Sequence, residues 1–119
     1  MILTIEQLEA WRACKDQFML AGIHFGRRVR LTRAVLLEAA ELGLDLDWLA
    51  CHVLVPHALE DFNRDRAVAW GDYDRDIATA WGDYQRDIVW KNFERAAAAA
   101  RATRNRAFAN ALADVLGLP

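Results

Sequence analysis

Proline is nearly absent from this 119-residue chain: Pro56 and Pro119 are its only two, so no ring interrupts the backbone between them. Cysteine is as scarce. Cys14 and Cys51 each lie in an apolar, helix-patterned stretch, which predicts two buried, unpaired thiols in a reducing compartment and no disulfide framework. His24, His52 and His57 stand in no CxxC, HxxxH or HExxH spacing, so no metal site is predicted. Glycine-rich phosphate loops are missing, and "GDYDRDI" lacks the Gly and Glu that a calcium loop needs after its alternating aspartates. The Cys51–His52 pair has no third orienting group and no oxyanion-hole signature beside it, which argues against a nucleophile. No catalytic residue and no cofactor are expected, and the chain reads as a non-enzyme. The start "MILTIEQLEAW" has no basic region followed by an apolar run, and no run reaches the roughly 18 apolar residues of a membrane span. The expectation is a cytoplasmic protein without a membrane partner.

What is present is apolar and uneven in charge. Apolar residues make up 55% of the chain, too many for disorder, and the length fits one small domain. The net charge is -2, so the chain as a whole has no basic excess to attract nucleic acid. Locally, Asp61 to Asp87 carries seven Asp against four Arg, whereas Lys91 to Pro119 carries five basic residues against Glu94 and Asp114.

The stretch "AWGDYDRDIATAWGDYQRDI", Ala69 to Ile88, says nearly the same thing twice, eleven residues apart. A worn third copy precedes it in "ALEDFNRDRA", with Leu59, Asp61, Phe62, Arg64 and Asp65 in the places of Trp70, Asp72, Tyr73, Arg75 and Asp76. Eleven residues make about 3.67 per turn over three turns, so equivalent positions stack almost straight along a helix. Trp70, Tyr73, Ile77, Trp81, Tyr84 and Ile88 then share one face, while Asp72, Arg75, Asp76, Asp83, Arg86 and Asp87 share the other. The Asp-to-Arg spacing of three also supports the helix itself, by about 0.2–0.5 kcal/mol per pair.

The remaining signals predict an all-α fold with helices near 5–21, 33–42, 46–54, 57–90 and 93–116. Thr4 with Gln7 forms a capping box, and Gly22 is the expected stop of the first helix. "IHFGRRVRLT" reads as an extended connector; Thr32 and Asp45 or Asp47 cap the next two helices, and Pro56 suits a first helical turn. Uninterrupted to Leu116, the last helix would measure about 90 Å. Trp90 and Phe93 fall off the apolar stripe, so a bend or turn is predicted at Trp90 to Asn92. Residues 1–55 form an N-terminal module and residues 56–119 a repeat helix with an Ala-rich successor, together one domain in which Trp70 and Tyr73 are core.

Three surfaces could meet a partner. Asp72, Asp76, Asp83 and Asp87, with Trp81, Tyr84 and Trp90, are the candidate protein-binding residues, because aromatic side chains on an uncovered helix favour a protein partner or a homodimer. Arg27, Arg28, Arg30 and Arg33 form one basic segment, and Arg101 and Arg104 belong to a second on the last helix; these are the alternative, a nucleic-acid contact through phosphates. Nucleic acid is the weaker expectation, given the charge balance.

Ala13, Cys14, Leu31, Thr32 and the segment Asp47-Trp48-Leu49-Ala50, followed by eleven-residue repeats bearing Tyr73 and Tyr84, resemble a group of small uncharacterised phage and prophage proteins. The resemblance covers about residues 3 to 90 and stops where the repeats give way to "AAAAARATRNRA". It implies a phage accessory protein and brings no catalytic residue with it. The function expected is therefore binding of a host protein in the host cytoplasm, with inhibition of a defence effector complex such as a CRISPR effector as its concrete form.

Overall fold

The computed structural model describes residues 1–119 and contains β1 (Ile2–Thr4), α1 (Ile5–Ala10), α2 (Lys15–Phe25), β2 (Arg28–Arg30), α3 (Arg33–Glu41), α4 (Leu46–Val53), α5 (Pro56–Asp87) and α6 (Trp90–Leu116). The fold is all-α. Helices α5 and α6 make one long antiparallel hairpin, and the N-terminal elements gather at its open end, where α3 and α4 pack on α6. No helix is long and apolar enough to cross a membrane.

Local signals explain most of these boundaries. Thr4 and Gln7 form the capping box at the start of α1, the Thr32 hydroxyl accepts from Val35 N–H, and the Asp45 carboxylate accepts from Trp48 N–H. Pro56 occupies the first turn of α5. Glycine ends α3 and α6 in the same way: Gly43 and Gly117 adopt positive φ, and the residue after each donates its N–H to a carbonyl five residues back.

Four expectations need correction. The first predicted helix, 5–21, is two. Arg12 takes the left-handed conformation at φ 59°, Ala13 N–H reaches Leu8 C=O at 3.0 Å, and Arg12 N–H reaches Glu9 C=O at 3.0 Å. This is the same helix ending as at Gly43, built without glycine, which is why composition concealed it. Gly22 accordingly lies inside α2, and Gly26, at φ 74°, ends it. Next, the connector "IHFGRRVRLT" contains a strand. Thr4, Leu3 and Ile2 pair antiparallel with Arg28, Val29 and Arg30, which puts Leu3 in the core with Val29 packed against it. Strands of three residues are too short to show a period of two.

The turn of the hairpin also lies earlier than expected, at Ile88 and Val89, so Trp90 opens α6. Finally, Cys14 and Cys51 are free as expected but exposed. Cys14 sits at the N-cap of α2, outside any helix interior, and Cys51 is on the outward side of α4, whose inner face is Leu46, Leu49 and Ala50.

One core spans both halves of the chain. Leu36, Ala39 and Ala40 of α3, Leu46, Leu49 and Ala50 of α4, Phe62 of α5 and Phe108, Ala109, Ala111, Leu112 and Ala113 of α6 contribute to a single cluster. Two polar ties fasten it. Arg33 donates to Asn110 Oδ1 at 2.9 Å, to the Leu118 carbonyl at 3.3 Å and to Asp114, and Arg66 Nε donates to the Asp47 carboxylate at 2.7 Å.

Ile88 turns the hairpin in the left-handed region, at φ 52° and ψ 42°, and is 74% exposed, so its side chain opposes the turn without filling the core. Ile88→Gly is expected to raise stability by about 1 kcal/mol in urea unfolding; a loss of stability would mean that the side chain is needed for packing. Both cysteines are expected to react with a thiol reagent in the native protein within the time needed by the unfolded chain, to within about tenfold.

Candidate functional site

The repeat faces α6 with its alanines. Ala69 and Ala80 are buried, and Ala100 is buried on the opposing helix; side chains this small let two long helices lie close together. The aromatic positions flank that seam, and their surroundings change along the hairpin. Phe62 is fully buried and lies tilted against Phe108, with ring centroids 6.5 Å apart. Trp70 and Tyr73, predicted as core, are half-buried. They hold the Arg104 guanidinium, which lies 4.6 Å from the Trp70 ring and 4.7 Å from the Tyr73 ring. The Trp70 indole N–H is buried there without a hydrogen-bond partner.

Beyond this point α5 and α6 have only each other. Trp81 and Tyr84 approach the end of α5, and Trp90 and Phe93 begin α6, so the Ile88–Val89 turn folds four aromatic rings together. Trp81 lies 5.4 Å from both Tyr84 and Phe93, Tyr84 lies 5.5 Å from Trp90, and Trp90 stacks on Phe93 at 5.1 Å. Such pairs favour the edge and offset geometries seen here by about 0.5–1.5 kcal/mol each. The cluster is nevertheless open: Trp81 is 46% and Trp90 50% exposed, with Ile88 and Val89 exposed at the turn between them. The two residues that fell off the helical stripe, Trp90 and Phe93, are the ones that close this cluster from the second helix.

Carboxylates edge the aromatic tip. A cleft of about 170 Å³ between the helices is lined by Asp83, Tyr84, Asp87, Asn92 and Phe93 among others. The predicted acidic surface divides here into two kinds of residue. Asp72 pairs with Arg75 at 3.2 Å and Asp83 with Arg86, whereas Asp76 and Asp87 have no cationic partner. Asp74, which the repeat pattern did not single out, is also unpaired and exposed. Between Asp72 and Arg95 six carboxylates stand against four cations, so the tip keeps a negative balance.

The basic residues are scattered. Arg33 and Arg104 are engaged in the internal contacts described above. Arg27 pairs with Glu6 at 3.3 Å; the Glu6 carboxyl is held below its ordinary value chiefly by its own backbone N–H, with Arg27 adding to the effect. Arg28 and Arg30 are exposed on the outer face of β2, and Arg101 is exposed on α6. Among His, Cys, Asp and Glu, no three converge as a metal site would require. His52 makes a three-ring cluster with Trp48 and Trp11, tilted at 4.3 and 5.3 Å, and its Nδ1 lies 2.9 Å from the Trp48 carbonyl.

A side chain that is half in solvent contributes little to folding. Trp81→Ala is expected to cost no more than about 1.5 kcal/mol in urea unfolding, against about 3–5 kcal/mol for Phe62→Ala, where the ring is fully buried at the other end of the repeat. Equal losses would show that the tip cluster belongs to the folding core.

No protein-family model, no curated protein and no solved structure matches the chain, so the residues and their geometry are the grounds for its function.

Proposed function

We propose that the chain is a non-enzymatic binding protein whose docking element is the tip of the α5–α6 hairpin. The observation that carries this reading is the cluster in which exposed Trp81 and Trp90 pack on half-buried Tyr84 and Phe93, held on two helices far from the core. Aromatic side chains with few rotatable bonds, standing free at the end of a stiff support, lose little entropy on binding, which is why tryptophan and tyrosine dominate binding hot spots. Asp87 at the tip, and Asp76 and Asp74 further down α5, supply unpaired negative charge. The complementary partner is a protein surface with an apolar pocket edged by Lys or Arg, where the carboxylates speed encounter and the rings slow dissociation.

The resemblance of the N-terminal segments and repeats to phage and prophage proteins supports an accessory role in an infected host, and an inhibitor of a defence effector, such as a CRISPR effector, is the concrete form of it. The nucleic-acid alternative draws on Arg27, Arg28, Arg30 and Arg101 alone, since Arg33 and Arg104 hold the fold together.

Capture from host extract tests the assignment when wild type and Trp81→Ala/Trp90→Ala are compared with each other. The double variant is expected to keep its helical circular dichroism and to bind the captured protein at least about 100-fold more weakly. Asp76→Asn/Asp87→Asn is expected to slow association about tenfold at low salt, the difference fading near 0.5 M. Undiminished capture by both variants would take the tip out of the mechanism.

A further inference from the structure

A cavity of about 90 Å³ lies between α2 and the α3–α4 pair, at the opposite end of the molecule from the hairpin tip. Sixteen of its twenty lining residues are hydrophobic, among them Phe18 and Ala21 of α2, Leu36 and Ala39 of α3, and Trp48 and Leu49 of α4. Interiors of small domains are packed as densely as organic crystals, so a space of this size beside the core is a departure that needs a reason.

The four other lining residues decide what could fill it. Gly26 has no side chain. The Thr4 hydroxyl accepts from Gln7 N–H at 3.2 Å, and the Asp45 carboxylate accepts from Trp48 N–H at 3.0 Å, each capping a helix. Gln17 is used at both ends: its amide oxygen accepts from Asp45 N–H at 2.8 Å, and its NH₂ donates to the Gly43 carbonyl at 3.3 Å. Each of these side chains is already tied to the backbone around it, so the wall offers a polar occupant little in return for its lost hydration. An apolar occupant would meet rings and methyl groups on several sides.

The wall formed by α2 is also lightly anchored. None of its residues is buried, Met19 and Ile23 face solvent, and the Gln17 pair ties it to the loop between α3 and α4. The turns on either side, at Arg12 and Gly26, both use positive φ. A cavity walled by such a helix can exchange its contents without unfolding the core.

We propose that this cavity is a binding site for a small uncharged apolar molecule, a single aromatic ring or a short hydrocarbon chain, independent of the hairpin tip. Dry apolar cavities of about 150 Å³ are known to take benzene, and this one is smaller but partly open, so the probe is chosen at that size.

The test is methyl NMR on the full chain titrated with benzene, and with benzoate as the same ring carrying a charge. Benzene is expected to shift the methyl signals of Val35, Leu36 and Leu49 saturably, with half-saturation on the order of 1 mM, while benzoate leaves them unmoved. Ala39→Phe fills the space from α3 and is expected to weaken benzene at least about tenfold; should it not fold, Ala21→Leu, which fills from the exposed helix, decides the point. Absence of saturation, equal response to benzoate, or binding that survives filling would each overturn the proposal.

Discussion

The antiparallel seam between α5 and α6 is the contact on which the molecule depends. Helix α5 runs for 32 residues, about 48 Å at 1.5 Å per residue, and the longest dimension of the protein is 49 Å. A module of some fifty residues cannot cover a helix of that length. Alone, the far half of α5 would be an amphipathic helix with an open apolar face; the turn at Ile88 and Val89 brings α6 back along it and supplies the missing neighbour. Because the repeat keeps equivalent residues in line, Ala69 and Ala80 fall on one row against α6, with aromatic pairs such as Phe62–Phe108 and Trp81–Phe93 crossing beside them.

That geometry produces a gradient. Equivalent repeat positions pass from buried to exposed as α5 leaves the module: Leu59 and Trp70 are half-buried and Trp81 is exposed, while Phe62 is buried and Tyr73 and Tyr84 are half-buried. One residue pattern thus does two jobs, and position along the hairpin decides which. The arginines follow the same logic. Arg104 lies over rings where the repeat is partly covered, and Arg66 reaches Asp47 where the module begins, so these two cations tie α5 to its neighbours, whereas Arg64 pairs with Asp61 on its own helix. Toward the tip, Arg75 and Arg86 pair only with aspartates on their own helix.

Much of this was legible because the signals were local. Caps at Thr4, Thr32 and Asp45, the proline at the head of α5 and the eleven-residue period all act within a few residues of themselves, and the helices they delimit are present. The failures were of another kind. Arg12 and Ile88 are the two residues other than glycine with positive φ, and each ends a helix where composition offers no breaker. Their conformations are held by long-range contacts: Trp11 beside Trp48 and His52 at the first turn, and the four-ring cluster at the second. The exposure of Cys14 and Cys51 was hidden for the same reason, since an apolar neighbourhood in sequence does not say which side of a helix the fold covers.

The tip itself shows how a repeat pattern can mislead and inform at once. Charge alternation nominated four aspartates as equals, but two of them, Asp72 and Asp83, are neutralised by arginines three residues on. An ion pair already made on the surface has little left to offer a partner, because binding must first loosen it or accept the arginine as well. Asp76 and Asp87 carry no such burden. The aromatic residues, by contrast, gain their meaning only in three dimensions: Trp90 and Phe93 look misplaced on a continuous helix, and a two-residue turn makes them the second half of a cluster begun by Trp81 and Tyr84. A helix that breaks its own stripe at the point where the chain reverses is building a surface that neither helix could present by itself.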